Sequence, residues 1–276
     1  MFRAARLAAA SATVDLTHDA YRSRSLVFKL RHPHRDREDG VAAPIEIKLL
    51  STTAMKTVFE ALASRFEAAT GNHLAVNLGP SLKLEQRLAD GEAADVAILA
   101  NAGARELAAR GRLVPGSLAD IARSSIGVAV RKGAAKPDIG SVDAFKRAML
   151  AAESIAVSKP VGGGQSGAHM AKVFDRLGIA DAMAAKAKYG EGGAKGLAGL
   201  VVLRGEAEIG IQQMAELRAV DGIDVVGPLP APLQSVTLFT AAIPSNASHP
   251  EAGRALIDFL TTPEAKAVIK ATGLEP

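Results

Sequence analysis

Ser154 to Leu177 reads SIAVSKPVGGGQSGAHMAKVFDRL, and how this stretch folds decides how the rest of the chain must be arranged. Three apolar residues, Ile155, Ala156 and Val157, lead through Ser158, Lys159 and Pro160 into Gly162, Gly163 and Gly164; Met170, Val173, Phe174 and Leu177 then recur at helical spacing. The pattern predicts a strand, a bare loop and the start of a helix. Glycine lets other atoms approach the main chain closely. The first N–H groups of the helix, around Gln165 and Ser166, lack partners within it, and with the helix dipole they favour an anion. A plain chain reversal would use the same residues, and the stretch alone does not choose between the two readings. It fits neither GxGxxG nor GxxxxGKS/T, since no Lys-Ser or Lys-Thr pair follows the glycines, which disfavours a nucleotide loop.

Outward from this stretch, 276 residues with 48% hydrophobic and 22% charged content can bury a sizeable core in one or two α/β domains. The absence of cysteine excludes disulfides, thiolate metal sites and a cysteine nucleophile. With no Trp and two Tyr, there are few aromatic platforms for sugars or nucleobases. The formal charge of +4 is uneven: residues 1–43 hold eight basic and five acidic residues, and the remainder holds 25 and 24. The folded part is thus nearly neutral, and nucleic acid is not an expected partner.

Residues 1–43 are expected to form a disordered N-terminal extension. Leu7–Val14 is only weakly apolar and runs into Asp15, which makes a poor secretion signal, and Arg22–Gly40 has no periodic apolar face. A cytoplasmic location follows if these residues are not a signal, a periplasmic one if they are. His32 and His34 read as solvated residues of this tail. No run of eighteen apolar residues exists to span a membrane. No cofactor is expected, and His73, His169 and His249 lack the spacing of a metal site.

From Ile45 the chain alternates strands and helices, which predicts parallel sheet. The strand Ile45–Leu50 ends at Ser51, Thr52 and Thr53, one of them expected to cap a helix with Met55, Val58, Phe59, Leu62 and Phe66 on its face. A strand over Leu74–Leu78 leads through Gly79, Pro80 and Ser81 to a helix, and a strand over Asp95–Leu99 to Ala100 and Asn101. Ligands of such sheets sit beyond the C-terminal strand ends, so these three turns share one rim. A second set holds a strand at Ile126–Val130, a helix at Val142–Ala151, the opening stretch, a helix around Lys195–Leu203 and a strand at Glu208–Gln212. Gly91-Glu92-Ala93-Ala94-Asp95 and Gly205-Glu206-Ala207-Glu208 echo one another, as two similar lobes would. A strand at Val236–Ala242 and two helices with proline near their starts close the chain.

The segments STTAMKTVFEALASRFEAATG, LADGEAADVAIL, KPVGGGQSGAHMAKVFDRLGI, GEAEIGIQQMAEL and HPEAGRALIDFLTTPEAKAVIKATGLEP together resemble the substrate-binding proteins of molybdate-type ABC transporters, over Ile45 to Pro276. The resemblance implies an α/β, two-lobed type II periplasmic-binding fold with a two-strand hinge and a ligand cleft between lobes. Lobe 1 would be residues 44–124 completed by 237–276, and lobe 2 residues 125–236. It further implies that Ser51, Ser81, Ala100 or Asn101, Gly164 and Gln213 stand where that family contacts its oxyanion. Gln213 replaces a tyrosine there, and Pro80 a small residue. With their neighbours, the expected ligand-binding set is Ser51, Thr52, Thr53, Ser81, Ala100, Asn101, Gly163, Gly164, Gln165, Ser166, Gln212 and Gln213.

Two functions compete. One is a solute-binding protein for transport that captures a small anion, a molybdate-like oxyanion or a small carboxylate, with an ABC permease as partner. The other is a cytoplasmic isomerase, tautomerase or hydrolase of a small oxo-carboxylate on the same scaffold. Its proton-transfer candidates are His169 and Lys159, then Tyr189 and Glu191. No GxSxG elbow is present for Ser51 or Ser166.

Overall fold

The computed structural model describes residues 43–161, 163–190 and 196–276; the readings on residues 1–42, Gly162 and Glu191 lie outside them. The first lobe runs β1 (Glu46–Thr52), α1 (Lys56–Thr70), β2 (His73–Gly79), α2 (Ser81–Ala89), β3 (Val96–Ala100) and α3 (Asn101–Ala109), then enters the long β4 (Ala119–Arg131). The second continues with α4 (Val142–Ala151), β5 (Ile155–Val157), α5 (Gln165–Arg176), α6 (Ala180–Lys186), β6 (Ala187–Tyr189), α7 (Ala198–Leu203), β7 (Ile209–Gln213), α8 (Met214–Arg218) and β8 (Ile223–Pro228). The chain then returns through β9 (Val236–Ala242) to α9 (Pro250–Leu260) and α10 (Pro263–Ala271).

In the first sheet, of order β2-β1-β3-β9-β4, the first three strands are parallel and β9 is antiparallel to both neighbours. Side chains alternate across a strand. Val96 and Ile98 of β3 therefore join Ile47 and Leu49 in a core with Phe59, Leu62, Phe66, Leu256 and Leu260, while Ala97 and Leu99 join Leu50 in another with Leu84, Leu88 and Leu107. Helices thus cover both faces, α1, α9 and α10 on one and α2 and α3 on the other. That is why β3 is buried along its whole length.

The second sheet repeats the plan. Ile155, Val157, Ile209 and Ile211 pack with Phe145, Met149, Met170, Val173 and Phe174, and Ala156 faces Ala198, Val201 and Val202 of α7. Gly210 gives α7 its closeness, since a Cβ there would stand 3.0 Å from Val202 Cγ2.

The two sheets share β4. Its residues up to Ser125 pair with β9, and from Ile126 it pairs with β7 on one side and β8 on the other. The chain crosses between lobes at Ser125–Ile126 and at Ser235–Val236. Gln234 fastens this crossing: its Oε1 accepts from Ile126 N at 2.8 Å and its Nε2 donates to Ile126 O at 2.9 Å.

The repeated Gly-Glu-Ala step has the same use in both lobes. Asp95 accepts from Lys48 N at 2.8 Å and from His249 N at 2.7 Å, and Glu208 accepts from Glu153 N at 2.6 Å. Each acid opens a strand and ties it to the start of the parallel neighbour.

Several local expectations change. The hydroxyl trio does not cap α1 through a side chain: Ser51 and Thr52 extend β1, and Thr53 starts a 3-10 turn over Thr53–Met55. The strand expected at Ile126–Val130 starts at Ala119, because one strand serves both sheets. Tyr189 ends the short strand β6. The helix expected from Lys195 begins at Ala198. An additional strand, β8, which was not expected, takes in Gly227 and Pro228.

Candidate functional site

Chain turns from both lobes meet around a cavity of about 420 Å³, within the roughly 300–1,000 Å³ of small-molecule sites. The first lobe contributes Thr52, Thr53 and Ala54 at the end of β1, Asn77 to Ser81 from the end of β2 to the start of α2, and Lys83 and Arg87 of α2. The second contributes Ser158 and Lys159 after β5, Gly163 to Ser166 at the start of α5, Gly190, Gly196, and Gln212, Gln213 and Glu216 at the β7–α8 junction.

The opening strand-loop-helix takes its shape from three glycines with different reasons to be glycine. A Cβ on Gly163 would lie 2.2 Å from Lys159 O, and one on Gly167 2.4 Å from Ser158 O, so both are needed for the loop to fold against its own backbone. Gly164 differs. A Cβ there would make ordinary contacts, 3.7 Å from Ser158 Oγ and 3.9 Å from Ser166 Oγ, and Gly164 itself lines the cavity. Its φ of −83° suits any residue. Gly164 therefore keeps the wall open between two hydroxyls. Ser166 Oγ is buried and has no hydrogen-bond partner among the described residues. A buried hydroxyl left without a protein partner on a cavity wall is suited to a ligand.

The α2 N-terminus at Ser81, from one lobe, and the α5 N-terminus at Gln165, from the other, both open onto the cavity. Lys83 and Lys159 line it from opposite lobes, and among the described residues neither has an ion-pair partner. Arg87 is partly neutralised by Glu92, with Nε to Oε2 at 2.6 Å, and it donates to Asn77 Oδ1 at 3.0 Å. That guanidinium holds the Glu92 carboxyl below its usual range. Glu85 of α2 has its carboxyl pushed up by burial and by nearby Glu106, against the opposing pull of the Gln165 amide of α5.

The floor holds Gln212, Gln213 and Glu216. Gln212 Oε1 accepts from Ala198 N at 2.6 Å, which leaves its NH2 group for the Glu216 carboxyl. Gln213, turned so that both ends of its amide are satisfied, accepts from Thr237 Oγ1 at 2.8 Å and donates to Ser124 O at 3.0 Å. Its polar atoms therefore join β4 to β9. Glu216 stands three residues after the α8 N-cap, where a glutamate reaches back to the N-cap N–H. Burial pushes its carboxyl up to about 7, against the bonds from Gln212 and the Gln213 backbone.

Of the residues expected at the site, Thr52, Thr53, Ser81, Gly163, Gly164, Gln165, Ser166, Gln212 and Gln213 line the cavity, as does Lys159. Ser51, Ala100 and Asn101 do not. Ser51 is fully buried within β1 and donates to Thr52 O at 3.4 Å. Asn101 Nδ2 donates to Thr240 Oγ1 at 2.8 Å, joining α3 to β9 inside the first lobe. His169 is likewise committed, with Nε2 at 2.8 Å from Leu233 O, and lies off the cavity wall, as does Tyr189. The sequence reading missed Lys83, Arg87, Ser158 and Glu216. The capping-box spacing from Gln213 to Glu216 was a signal that could have found the last.

Comparison with known proteins agrees with this geometry. A family model described as bacterial extracellular solute-binding protein matches residues 47–275. The chain is 36% identical over 236 residues to an aconitate isomerase of a Pseudomonas species, covering 83% of this chain and 87% of that one. It is 28% identical over 244 residues to the molybdate-binding protein ModA of Azotobacter vinelandii, covering 84% and 90%. Among solved structures, the periplasmic molybdate-binding protein of Azotobacter vinelandii superposes with a TM-score of 0.69 at 21% identity, over 83% of this chain and 99% of that one. The sulfate-binding protein SubI of Mycobacterium tuberculosis does so with a TM-score of 0.67 at 19% identity, over 84% and 87%. The fold is the two-lobed type II periplasmic-binding fold.

Proposed function

The chain belongs to the bacterial extracellular solute-binding proteins, and from that premise we propose that its interlobe cavity captures a small carboxylate anion. The observation that carries this reading is the pairing of two helix N-termini and two lysines, one of each from either lobe, around the Ser166 hydroxyl; among the described residues the lysines have no ion-pair partner and the hydroxyl no hydrogen-bond partner. N–H groups and dipoles bind an anion without a fully desolvated ion pair. Lys83 and Lys159 add positive charge at separate points, which suits an anion whose charges are spread over several carboxylates better than a single tetrahedral one. In the transport reading the loaded protein would deliver this anion to an ABC permease.

A second reading has its own support. The 36% identity to an aconitate isomerase, over most of both chains, favours an unsaturated tricarboxylate as the anion and its isomerisation as the outcome.

Thermal-shift titration of the full chain with trans-aconitate, cis-aconitate, citrate, molybdate and sulfate tests the binding reading. A ligand that binds only the folded state raises the melting point by mass action, about 2.7 kcal/mol of stabilisation at a hundredfold excess over Kd. The polycarboxylates are expected to stabilise the protein and the tetrahedral oxyanions to leave it unchanged. Stabilisation by molybdate alone would overturn the choice of carboxylate.

A further inference from the structure

Among the described residues that line the cavity, Glu216 is the one carboxylate; Lys83, Arg87 and Lys159 are the other ionisable groups. A binding site for an anion is a costly place for a carboxylate, since like charges repel and the site has no metal-ligand cluster, among the described residues, to offset it. The helix cap explains why a glutamate or glutamine stands at this position. It does not explain why the acid rather than the amide is there, because Gln at the third helical position caps equally well.

We infer that Glu216 is the catalytic proton-transfer residue of the cavity, taking a proton from a carbon of the bound unsaturated tricarboxylate and returning it to another carbon of the same molecule. This rests on the isomerase reading above. The step balances within the substrate. The Glu216 carboxylate removes a proton from the methylene carbon next to the double bond, so that a C–H bond breaks and an O–H bond forms. The electron pair spreads over the three-carbon unit and its attached carboxylates, whose growing charge Lys83, Lys159 and the α2 and α5 N-termini face. The proton then returns to the opposite end of the three-carbon unit and the double bond moves by one position, which exchanges the cis and trans forms with no oxidant, reductant or co-reactant.

The surroundings suit such a group. Gln212 is held by Ala198 N and directs its NH2 at the carboxyl, and the Gln213 backbone supplies a second bond, so the side chain is held in place. Burial lifts its proton affinity to near neutrality, where an acid and its conjugate base are both available. His169, the sequence-based candidate, donates from Nε2 to Leu233 O and lies off the cavity wall.

The test uses the full chain and trans-aconitate. Calorimetry reads binding, and proton NMR in D2O reads both appearance of the cis isomer and uptake of deuterium at the methylene carbon. The wild type is expected to bind, to isomerise and to exchange. Glu216→Gln keeps the cap and is expected to bind within about threefold of wild type while its turnover and exchange fall by roughly 10²–10⁴-fold. Glu216→Asp, with a carboxylate one methylene shorter, is expected to fold and to regain part of the exchange. Isomerisation by Glu216→Gln at the wild-type rate would overturn the assignment. Wild-type binding without isomerisation or exchange would overturn the turnover while leaving capture standing. No binding of either isomer would remove both readings together.

Discussion

Glu216 carries the most physical information of any single side chain here, because its titration couples to folding. Its carboxyl is raised from 4.5 to about 7 by burial, Gln212 and the Gln213 backbone opposing. Between those values the folded protein holds a proton that the unfolded chain releases, so this group's contribution to stability falls as pH rises through the window and is gone above it. Lys83, Arg87 and Lys159 share the cavity wall with it. Glu216→Gln does not titrate, so relative to wild type it should gain roughly 1–3 kcal/mol between pH 5 and pH 8. Urea unfolding of both proteins at the two pH values reads this directly, and an unchanged difference would mean that the carboxyl is ionised in the folded state. The other site residues show why sequence reading stops where it does. Ser51, Ala100 and Asn101 stand at turn positions that the resemblance marks, yet Ser51 points into its own strand and Asn101 is bonded to Thr240. Which side of a turn faces a cavity is a matter of packing between distant segments, and no local pattern encodes it.

At the scale of elements, the strand-loop-helix from Ile155 to Arg176 was legible in outline because its apolar spacing and glycines are local signals. The separate duties of its glycines were not. Gly163 and Gly167 are fixed by contact with the backbone of Ser158 and Lys159, whereas Gly164 has room for a methyl group that would project between two hydroxyls on the cavity wall. Gly164→Ala should therefore fold with near wild-type stability and bind trans-aconitate at least about tenfold more weakly, a loss of about 1.4 kcal/mol. Gly167→Ala should instead lose about 1–3 kcal/mol of stability through overpacking. Denaturant unfolding with calorimetry separates the two, and equal destabilisation by both would show that the loop has no open wall at Gly164. The missed elements share a cause as well. β6 is three residues long, and β8 ends at Pro228 and sits at a sheet edge, so neither carries enough periodicity to be read. The Gly-Glu-Ala echo, by contrast, reflects one physical device used twice, an acid that pins the start of a strand to its parallel neighbour.

At the scale of the molecule, the α/β alternation and the family resemblance led to the right fold, and the hinge shows how the sequence builds it. One strand, β4, belongs to both sheets, and Gln234 and Gln213 each bond across the residues where the chain changes lobes. The cavity lies against this hinge, with each lobe supplying a helix N-terminus and a lysine. An anion that engages both would hold the lobes together, which is a shift of population toward the closed arrangement by differential contact. The chain has no cysteine, so spin labels can be introduced cleanly. The deciding measurement is the distance distribution between labels at Asp90→Cys, at the end of α2, and Asp175→Cys, on α5, by double electron-electron resonance with and without saturating trans-aconitate. A shorter, narrower distribution with ligand is the result predicted. An unchanged distribution at a concentration that saturates calorimetric binding would contradict capture between the lobes.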